Sequence, residues 1–352
     1  MSLAQLSIRN LRRLAEADVE LHAGRNLIFG ANASGKTSFL EAIYLLGRGR
    51  SFRTRNTERV IRHGEHELIV FGRTSSERPR LLGVQASRGE PTVAKIDGAF
   101  AASLAELSQA LPVQVIEPGV HKLVEESALR RRRWLDWGVF HVEPGFIDTW
   151  GRYARVLKQR NAALRTQPEQ AGLWDAQLIE LGEALDHSRA GFMKRLQKPW
   201  EETIAAFLAE PVELGYVSGW GRHESLAAAL GAAADRDRAR GLTHVGPHRG
   251  DVTLHIGGRV AREVLSRGQQ KLVAAAMILA QLKALGDGLG VEPLLLLDDP
   301  AAELDERRLE AFVAQIEQLR CQLLVTSLTR DRAPFGGFER VFHVEQGRVR
   351  PV

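Results

Sequence analysis

The sequence predicts an α/β fold with an antiparallel β lobe and a helical inserted domain. Three observations indicate this fold. A glycine-rich loop lies between an apolar run and a helical pattern at residues 26–46, and strand-like alternation of apolar residues covers residues 66–98. From about residue 146, apolar residues recur at near-heptad spacing over two long segments, which is typical of paired helices.

The composition limits the class of protein. The 352 residues include 48 lysines and arginines against 43 aspartates and glutamates, which gives a net charge of +5. This mild basicity permits an acidic partner such as DNA without requiring one, and the length allows two domains or one domain with an insertion. The chain has one cysteine, no apolar run of about 18 residues and no N-terminal secretion signal, so we expect a cytoplasmic protein with no membrane partner.

The loop at residues 30–38 has the spacing of a Walker A motif. Gly30 is followed by four residues and then by Gly35, Lys36 and Thr37. Glycines let successive N–H groups point at a polyphosphate, and the helix that begins here adds its positive end. Lys36 is a predicted catalytic residue that reaches the β- and γ-phosphates, and the Thr37 hydroxyl is a predicted Mg²⁺ ligand. The predicted nucleotide-binding residues of this loop are Gly30, Ala31, Asn32, Ala33, Ser34, Gly35, Lys36, Thr37 and Ser38.

Strands and short helices are predicted on both sides of this loop. Three strands are expected to lead into it, and a helix and a three-stranded meander are expected to follow it. The predicted bounds are residues 3–29 for the three strands, 38–46 for the helix, 66–74, 80–87 and 92–97 for the meander, 103–111 for a second helix and 113–116 for a further strand. The arginine-rich loop at 47–64 is either a solvated surface or a segment that contacts phosphates.

The middle of the chain is predicted to be an insertion, mainly helical, over residues 141–240. Its two long helices are separated by a break at Thr166-Gln167-Pro168. They form either an αα-hairpin that extends as a short arm or a packed helical subdomain, and the pattern fits both. A strand at 212–218 and an alanine-rich helix at 224–240 follow. The flanking parts, 1–140 and 241–352, are predicted to form one nucleotide-binding head.

Two histidines near the end of the insertion have the spacing of a metal-binding pair. His244 and His248 are four residues apart, but Gly246 and Pro247 lie between them. Because glycine and proline break the helix that such a pair needs, we do not expect a zinc site.

Two further motifs lie in the last third of the chain. Ser266 and Gly268 precede a strong helix at 272–285, and Ser266 is a good N-cap residue. Residues 293–297 are an apolar run that ends in Asp298 and Asp299, the form of a Walker B strand. Asp298 is predicted to hold Mg²⁺, and Asp299 to orient or deprotonate the attacking water. A helix is predicted from about residue 302 and a last strand at 322–327.

This order of motifs resembles the heads of ABC-type ATPases of the SMC type. Finer details resemble the RecF family of bacterial DNA replication and repair proteins, and the similarity covers nearly the whole chain. The matching segments are Gly30–Thr37, Leu40–Ile43, Arg131–Asp136, Gly246–Arg249, Ser266–Gln270, Leu297–Asp299 and Glu303–Asp305.

The resemblance implies a P-loop ABC-type ATPase head and a mechanism. Family members are expected to dimerise when ATP binds, so that Ser266, Gly268 and Gln269 of one protomer contact the γ-phosphate held at Lys36 of the other. The dimer would close on double-stranded DNA near gaps, and slow, DNA-stimulated hydrolysis would release it. The implied partners are RecO and RecR, and the implied outcome is the loading of RecA during recombinational repair. ATP and Mg²⁺ are the implied cofactors.

The chain departs from the family pattern at several positions. Ala33 replaces a common glycine, so we expect an ordinary backbone geometry there. Ser327 replaces a larger polar residue at the position that faces the γ-phosphate. The lid glutamine is not identifiable from the pattern, and Gln114 and Glu117 are both candidates. Predicted DNA contacts are Arg50, Arg53, Arg55 and the run Arg130–Arg133.

Other function classes fit less well. An ABC transporter subunit would have a much shorter gap between Lys36 and Ser266. A nuclease-coupled SMC-like ATPase would need either a metal-binding acidic cluster outside the head or a separate nuclease subunit, and the sequence shows no such cluster. A DNA clamp that binds ATP with negligible turnover stays open as an alternative, because the two carboxylates argue for turnover but set no rate.

Overall fold

The computed structural model describes residues 2–221, 223–289, 292–302 and 304–352. The chain forms two compact units, one of Met1–Val120 with Gly286–Val352 and one of His121–Leu285. Within the described residues, no helix is both long and apolar enough to cross a membrane.

The strands, in chain order, are β1 (Ser2–Leu11), β2 (Leu14–Glu20), β3 (Arg25–Phe29), β4 (Glu67–Ser75), β5 (Leu81–Ser87), β6 (Val93–Ile96), β7 (Ala99–Phe100), β8 (Val113–Ile116), β9 (Glu213–Val217), β10 (Asp251–Ile256), β11 (Arg259–Val260), β12 (Leu294–Leu297), β13 (Gln322–Ser327), β14 (Arg340–Glu345) and β15 (Arg348–Pro351). The α-helices are α1 (Lys36–Arg48), α2 (Leu104–Ala110), α3 (Lys122–Glu125), α4 (Ala128–Val142), α5 (Phe146–Thr166), α6 (Asp175–Ala205), α7 (Leu226–Arg240), α8 (Ala261–Val264), α9 (Arg267–Leu289) and α10 (Glu306–Glu317).

A mostly parallel sheet carries the phosphate loop in the first unit. Its strand order is β15-β14-β3-β13-β12-β8. Strands β3, β13, β12 and β8 run parallel, so their carboxyl ends meet at one edge of the sheet. Every residue of β12 is buried, as expected for a strand covered on both faces. This topology brings the loop after β3 and the carboxylates after β12 to the same edge.

An antiparallel sheet forms the β lobe of the same unit. Its strand order is β2-β1-β4-β5-β6-β7, and β4 alternates buried and exposed residues along its length. The predicted meander is therefore confirmed. The prediction that three strands lead into the phosphate loop is wrong in one respect, because β1 and β2 pair with each other and β1 pairs with β4. Of the three, β3 alone joins the parallel sheet and leads directly into the loop.

The second unit is mainly helical, as predicted. The two long helices α5 and α6 are separated by a short 3₁₀ segment and pack against each other. Helix α6 also packs against α4 and α7, and α5 packs against α7. A packed subdomain therefore describes the insertion better than an extended arm. A three-stranded sheet, β11-β10-β9, completes this unit.

Candidate nucleotide-binding site

The backbone of the phosphate loop adopts the geometry that its glycines allow. Gly35 has a φ of 126°, and a Cβ on Gly30 would lie 2.2 Å from the carbonyl oxygen of Val344. Ala33 has a φ of 62°, in the left-handed region. The expectation of an ordinary backbone geometry at Ala33 is therefore wrong: the turn requires a left-handed residue whether or not glycine supplies it.

Lys36 lies within the loop that it is predicted to serve. Its ammonium group donates hydrogen bonds to the carbonyl oxygens of Gly30, at 2.7 Å, and Ala31, at 3.0 Å. Burial lowers the pKa of Lys36, whereas the nearby carboxylates of Asp299 and Asp298 raise it. Loop carbonyls thus hold the cation at the edge of the sheet, where a polyphosphate would give it a stronger, oppositely charged partner.

The predicted Mg²⁺ ligands are in contact. The Thr37 hydroxyl lies 3.0 Å from each carboxylate oxygen of Asp298, although 261 positions separate them in sequence. A hydroxyl and a carboxylate are oxygen ligands of the kind that Mg²⁺ takes in nucleotide sites, so the pair fits the predicted ion. Asp299 follows with a φ of 50°, and burial raises the pKa of its carboxyl, whereas Lys36 lowers it.

Thr326 is a site residue that the sequence analysis did not assign. Its buried hydroxyl lies 2.9 Å from Asp298 Oδ1 and accepts a hydrogen bond from the Asp299 amide, also at 2.9 Å. One hydroxyl therefore orients the first carboxylate and holds the backbone of the second. The available signal was a polar residue at the carboxyl end of an otherwise apolar strand, which pointed to the edge of the site without giving a role.

Two buried hydroxyls at the loop have no hydrogen-bond partner within the described residues. They belong to Ser34, inside the loop, and Ser327, at the end of β13. The Ser327 carbonyl accepts a hydrogen bond from the Gly30 amide, which places this strand end directly beside the loop. Buried hydroxyls without partners are unfavourable, and a bound phosphate would satisfy them, so their presence fits a nucleotide.

The β14–β15 hairpin, which the sequence analysis did not predict, braces the loop from the other side. The Gly347 amide donates to the Ser34 carbonyl at 3.0 Å, and the close approach of Val344 to Gly30 belongs to the same hairpin. Arg13, in the β1–β2 turn, donates to the Ala33 carbonyl at 2.8 Å. The loop is thus held by segments from both ends of the chain.

The two lid candidates differ in position. Gln114 is buried within β8, in register with Leu295, and so lies inside the sheet. Glu117 follows β8 at the carboxyl edge, and Asp298 donates its amide to the neighbouring Ile116 carbonyl. Of the two candidates, the geometry favours Glu117, because it follows the strand at the edge where the loop and the carboxylates meet, whereas Gln114 lies within the strand.

The signature residues form a helix start in the second unit. The Gln269 amide donates to Ser266 Oγ at 3.3 Å, and the Ser266 amide donates back to Gln269 Oε1 at 3.0 Å. This reciprocal pair is a capping box, which confirms Ser266 as an N-cap residue. Ser266 is exposed and Gly268 is half-buried. Glu303, part of the last matching segment, lies outside the described residues.

Arg131 and Arg132, in the arginine run on α4, bond to other residues of the same unit. Arg131 is buried in a two-bond ion pair with Asp251, at 2.8 and 2.9 Å. Arg132 is half-buried and donates to the Gly250 carbonyl at 2.6 Å. Burial in the ion pair with Asp251 leaves Arg131 no free guanidinium face for DNA, so its role is to hold the β10 segment, whereas Arg132 stays a predicted contact. Arg130 and Arg133 are exposed and stay predictions.

Both histidines of the pair make hydrogen bonds to neighbouring residues of the fold. His248 Nδ1 lies 2.7 Å from the Tyr153 hydroxyl and Nε2 lies 3.1 Å from the Thr243 carbonyl, while His244 Nδ1 lies 2.8 Å from Asp237. Among the described residues, no group of three or more histidine, cysteine or acidic side chains is arranged to hold a metal ion.

We expect His248 to make stability fall on acidification. Burial lowers its pKa from 6.5 to about 4, so the unfolded chain binds the proton first and stability is lost as the pH falls from 6.5 towards 4. The expected loss is about 3 kcal/mol in the free energy of unfolding. Urea unfolding from pH 7 to 4 should show it as a steeper decline in the wild type than in His248→Gln. Parallel declines would contradict the prediction.

Comparison with known proteins assigns the family. Residues 2–348 match the RecF/RecN/SMC N terminal domain family. The DNA replication and repair protein RecF of Aliivibrio fischeri is 38% identical over 99% of both chains, and that of Chromohalobacter salexigens is 40% identical over 99% of both. A RecF-ATP structure of the RecFOR pathway superposes with a TM-score of 0.89 at 25% identity, covering 100% of this chain and 97% of that one.

A more distant neighbour shows the fold alone. It is an Smc head bound to the C-terminal winged-helix domain of ScpA, with a TM-score of 0.60 and 16% identity over 100% of this chain and 97% of that one. The fold is that of an ABC-type ATPase head, and on the full-length identities above the chain belongs to the RecF family of DNA replication and repair proteins.

Proposed function

We propose that this chain binds ATP and Mg²⁺ at the phosphate loop and hydrolyses ATP slowly to control its hold on DNA. The observation that carries the proposal is the contact between Thr37 and Asp298, with Lys36 and Asp299 beside it. The RecF-ATP structure of a similar protein supports ATP as the nucleotide.

Each residue of the proposed site has a chemical role. Lys36 binds the β- and γ-phosphates, and the amides of the loop complete the phosphate cradle. Thr37 and Asp298 hold Mg²⁺, which when bound neutralises charge on the phosphates. Asp299 orients the attacking water and accepts its proton, and a carboxyl pKa raised by burial suits a base at this position. Glu117 is the proposed lid residue.

The second half of the proposal is a nucleotide-dependent dimer. Ser266, Gly268 and Gln269 of one protomer contact the γ-phosphate bound by the other, and the exposure of Ser266 suits a contact made between molecules. In this proposal the nucleotide-binding head comprises residues 1–140 and 241–352 and the insertion residues 141–240, bounds that differ from those of the two compact units, which divide at 120/121 and 285/286.

DNA is the proposed partner of the dimer. The exposed arginines Arg50, Arg53 and Arg55 offer contacts to the phosphate backbone, which carry no sequence information. The dimer would close on double-stranded DNA near gaps, DNA would stimulate hydrolysis, and hydrolysis would reopen the clamp. RecO and RecR are the proposed protein partners and RecA loading the proposed outcome, in line with the RecFOR pathway named for the structural neighbour.

The mass of the protein in solution tests the dimer. With Mg²⁺ and ATP we expect the wild type to be a dimer and both Lys36→Ala and Ser266→Arg to be monomers. Lys36→Ala removes the cation that binds the phosphates, and Ser266→Arg places a bulky side chain where Ser266 would contact the nucleotide of the other protomer. Gln197→Arg adds the same charge at an exposed position of α6 and should dimerise normally. A wild type that stays monomeric, or a Ser266→Arg variant that dimerises, would refute the shared site.

A further inference from the structure

The loop that follows α1 presents three arginines from a single short turn. Arg50, Arg53 and Arg55 are exposed, whereas Ser51 between them is buried. Neither Arg50 nor Arg55 has an ion-pair partner among the residues that the structure describes. Arg53 Nη1 lies 4.0 Å from Glu41 Oε2, and 46% of the Arg53 side chain is exposed. Three cations on one turn repel one another, so this arrangement requires stabilising contacts with the interior of the unit.

A buried carboxylate on α1, that of Glu41, provides these contacts. Glu41 is fully buried, and its two oxygens accept hydrogen bonds from Arg12. The same carboxylate also accepts a hydrogen bond from the Ser51 hydroxyl. The pair with Arg12 balances the buried charge, and the hydroxyl of Ser51 extends the network towards the loop.

Ser51 links Glu41 to the backbone of the loop through hydrogen bonds. Its Oγ accepts hydrogen bonds from the amide of Arg53, at 3.0 Å, and from the amide of Thr54, at 3.1 Å. The hydroxyl therefore donates inwards to Glu41 and accepts outwards from the turn. The turn that carries Arg53 is fixed from inside, while its guanidinium group stays accessible.

We propose that Ser51, held by Glu41, is the positioning residue of a preformed binding site for the phosphate backbone of double-stranded DNA, made by Arg50, Arg53 and Arg55. Glu41 lies one helical turn after Thr37, so the same helix that begins at the phosphate loop also fixes this site. The inference rests on the proposed DNA binding and adds to it a residue that touches no DNA.

The test separates positioning from contact through the dependence of affinity on salt. Binding of a fluorescent 30-base-pair duplex is measured at several salt concentrations with ATP present. Arg53→Ala should lower the salt slope by about 1, because one phosphate contact is lost. Ser51→Ala should weaken binding about tenfold at every salt concentration without changing the slope, because the arginines stay present but must be ordered on binding. Ser51→Thr keeps the hydroxyl and should restore binding.

Two controls isolate the loop from general damage to the unit. Ser108→Ala removes another buried serine hydroxyl, one that bonds the Gly47 carbonyl near the end of the same helix, and should leave DNA affinity unchanged. ATP affinity, measured without DNA, should stay within about twofold of the wild type in Ser51→Ala, because Ser51 lies outside the phosphate loop. Ser51 is the chosen position because loss of Glu41 would leave Arg12 without its partner.

The outcomes are distinguishable. Ser51→Ala binding DNA like the wild type, or losing ATP affinity to the same degree as DNA affinity, would overturn the inference. An unchanged salt slope in Arg53→Ala would also overturn it while leaving the proposed DNA binding intact. A wild type that binds no DNA with ATP present would refute the proposed function itself.

Discussion

Replacing Asp299 with asparagine is expected to reduce ATP hydrolysis by about 10²–10⁴-fold, the usual contribution of a general base, while leaving ATP binding intact. Asparagine cannot accept the proton from water but tolerates the left-handed backbone that Asp299 adopts at a φ of 50°. The hydrogen bond that the backbone N–H of residue 299 donates to the Thr326 hydroxyl is therefore retained, and the loss is one of chemistry rather than of folding. A longer-lived ATP dimer should accompany it.

Phosphate release and dimer lifetime with Mg²⁺ and ATP measure this effect. Asp298→Asn is the matched comparison, because the same chemical change one residue earlier removes the carboxylate proposed to hold Mg²⁺ and should weaken nucleotide binding itself. If Asp299→Asn hydrolyses ATP at the wild-type rate, Asp299 is not the base. A wild type without measurable turnover would favour the clamp that binds ATP without hydrolysing it.

Replacing Asp136 with alanine is expected to lower the free energy of unfolding by about 3–5 kcal/mol. Asp136 makes two hydrogen bonds to Arg189, at 2.7 and 2.9 Å, and Arg189 is 1% exposed. A guanidinium group cannot release its proton, so the variant leaves a buried charge without its partner. Arg189 also donates to the Pro247 carbonyl at 2.6 Å, so the loop that carries Gly246–Arg249 should loosen with it.

Urea unfolding followed by circular dichroism measures the loss. Glu126→Ala breaks an ion pair with Arg130 in which both side chains are about two-fifths exposed, and it should lower stability by less than about 1 kcal/mol. The double replacement Asp136→Leu with Arg189→Met removes both charges and should recover most of the stability. If Asp136→Ala and Glu126→Ala lose equal stability, the buried pair does not carry the role given to it.

The parts of the site that follow a local pattern could be predicted from the sequence. Glycine spacing specifies the phosphate loop, and the apolar strand that ends in Asp298 specifies a carboxylate, which the structure places in contact with Thr37. The meander and the two long helices have clear periods and are also confirmed. The roles in nucleotide chemistry that we give to these residues stay predictions.

Contacts selected by tertiary structure could not be predicted in the same way. Arg131 reads as one cation in an exposed run, yet its partner Asp251 lies 120 positions away. Thr326 reads as the polar end of a strand, and only the neighbouring β12 gives it two carboxylate-bearing residues to hold. Ala33 takes a left-handed backbone because the loop around it requires one. For Arg131 and Thr326 the deciding partner is distant in sequence, and for Ala33 it is the closed geometry of the loop itself.

The position of β3 in its sheet constrains when the site can form during synthesis. Its neighbours are β13 and β14, whose residues 322–345 emerge about 300 positions after Leu27 and Ile28. At about 5–20 residues per second, the ribosome needs roughly 15–60 s to supply them. During that interval β3 has two unpaired edges and apolar side chains that are fully buried in the finished fold. The nascent chain therefore passes through a long aggregation-prone window, and its nucleotide pocket is among the last parts to be completed.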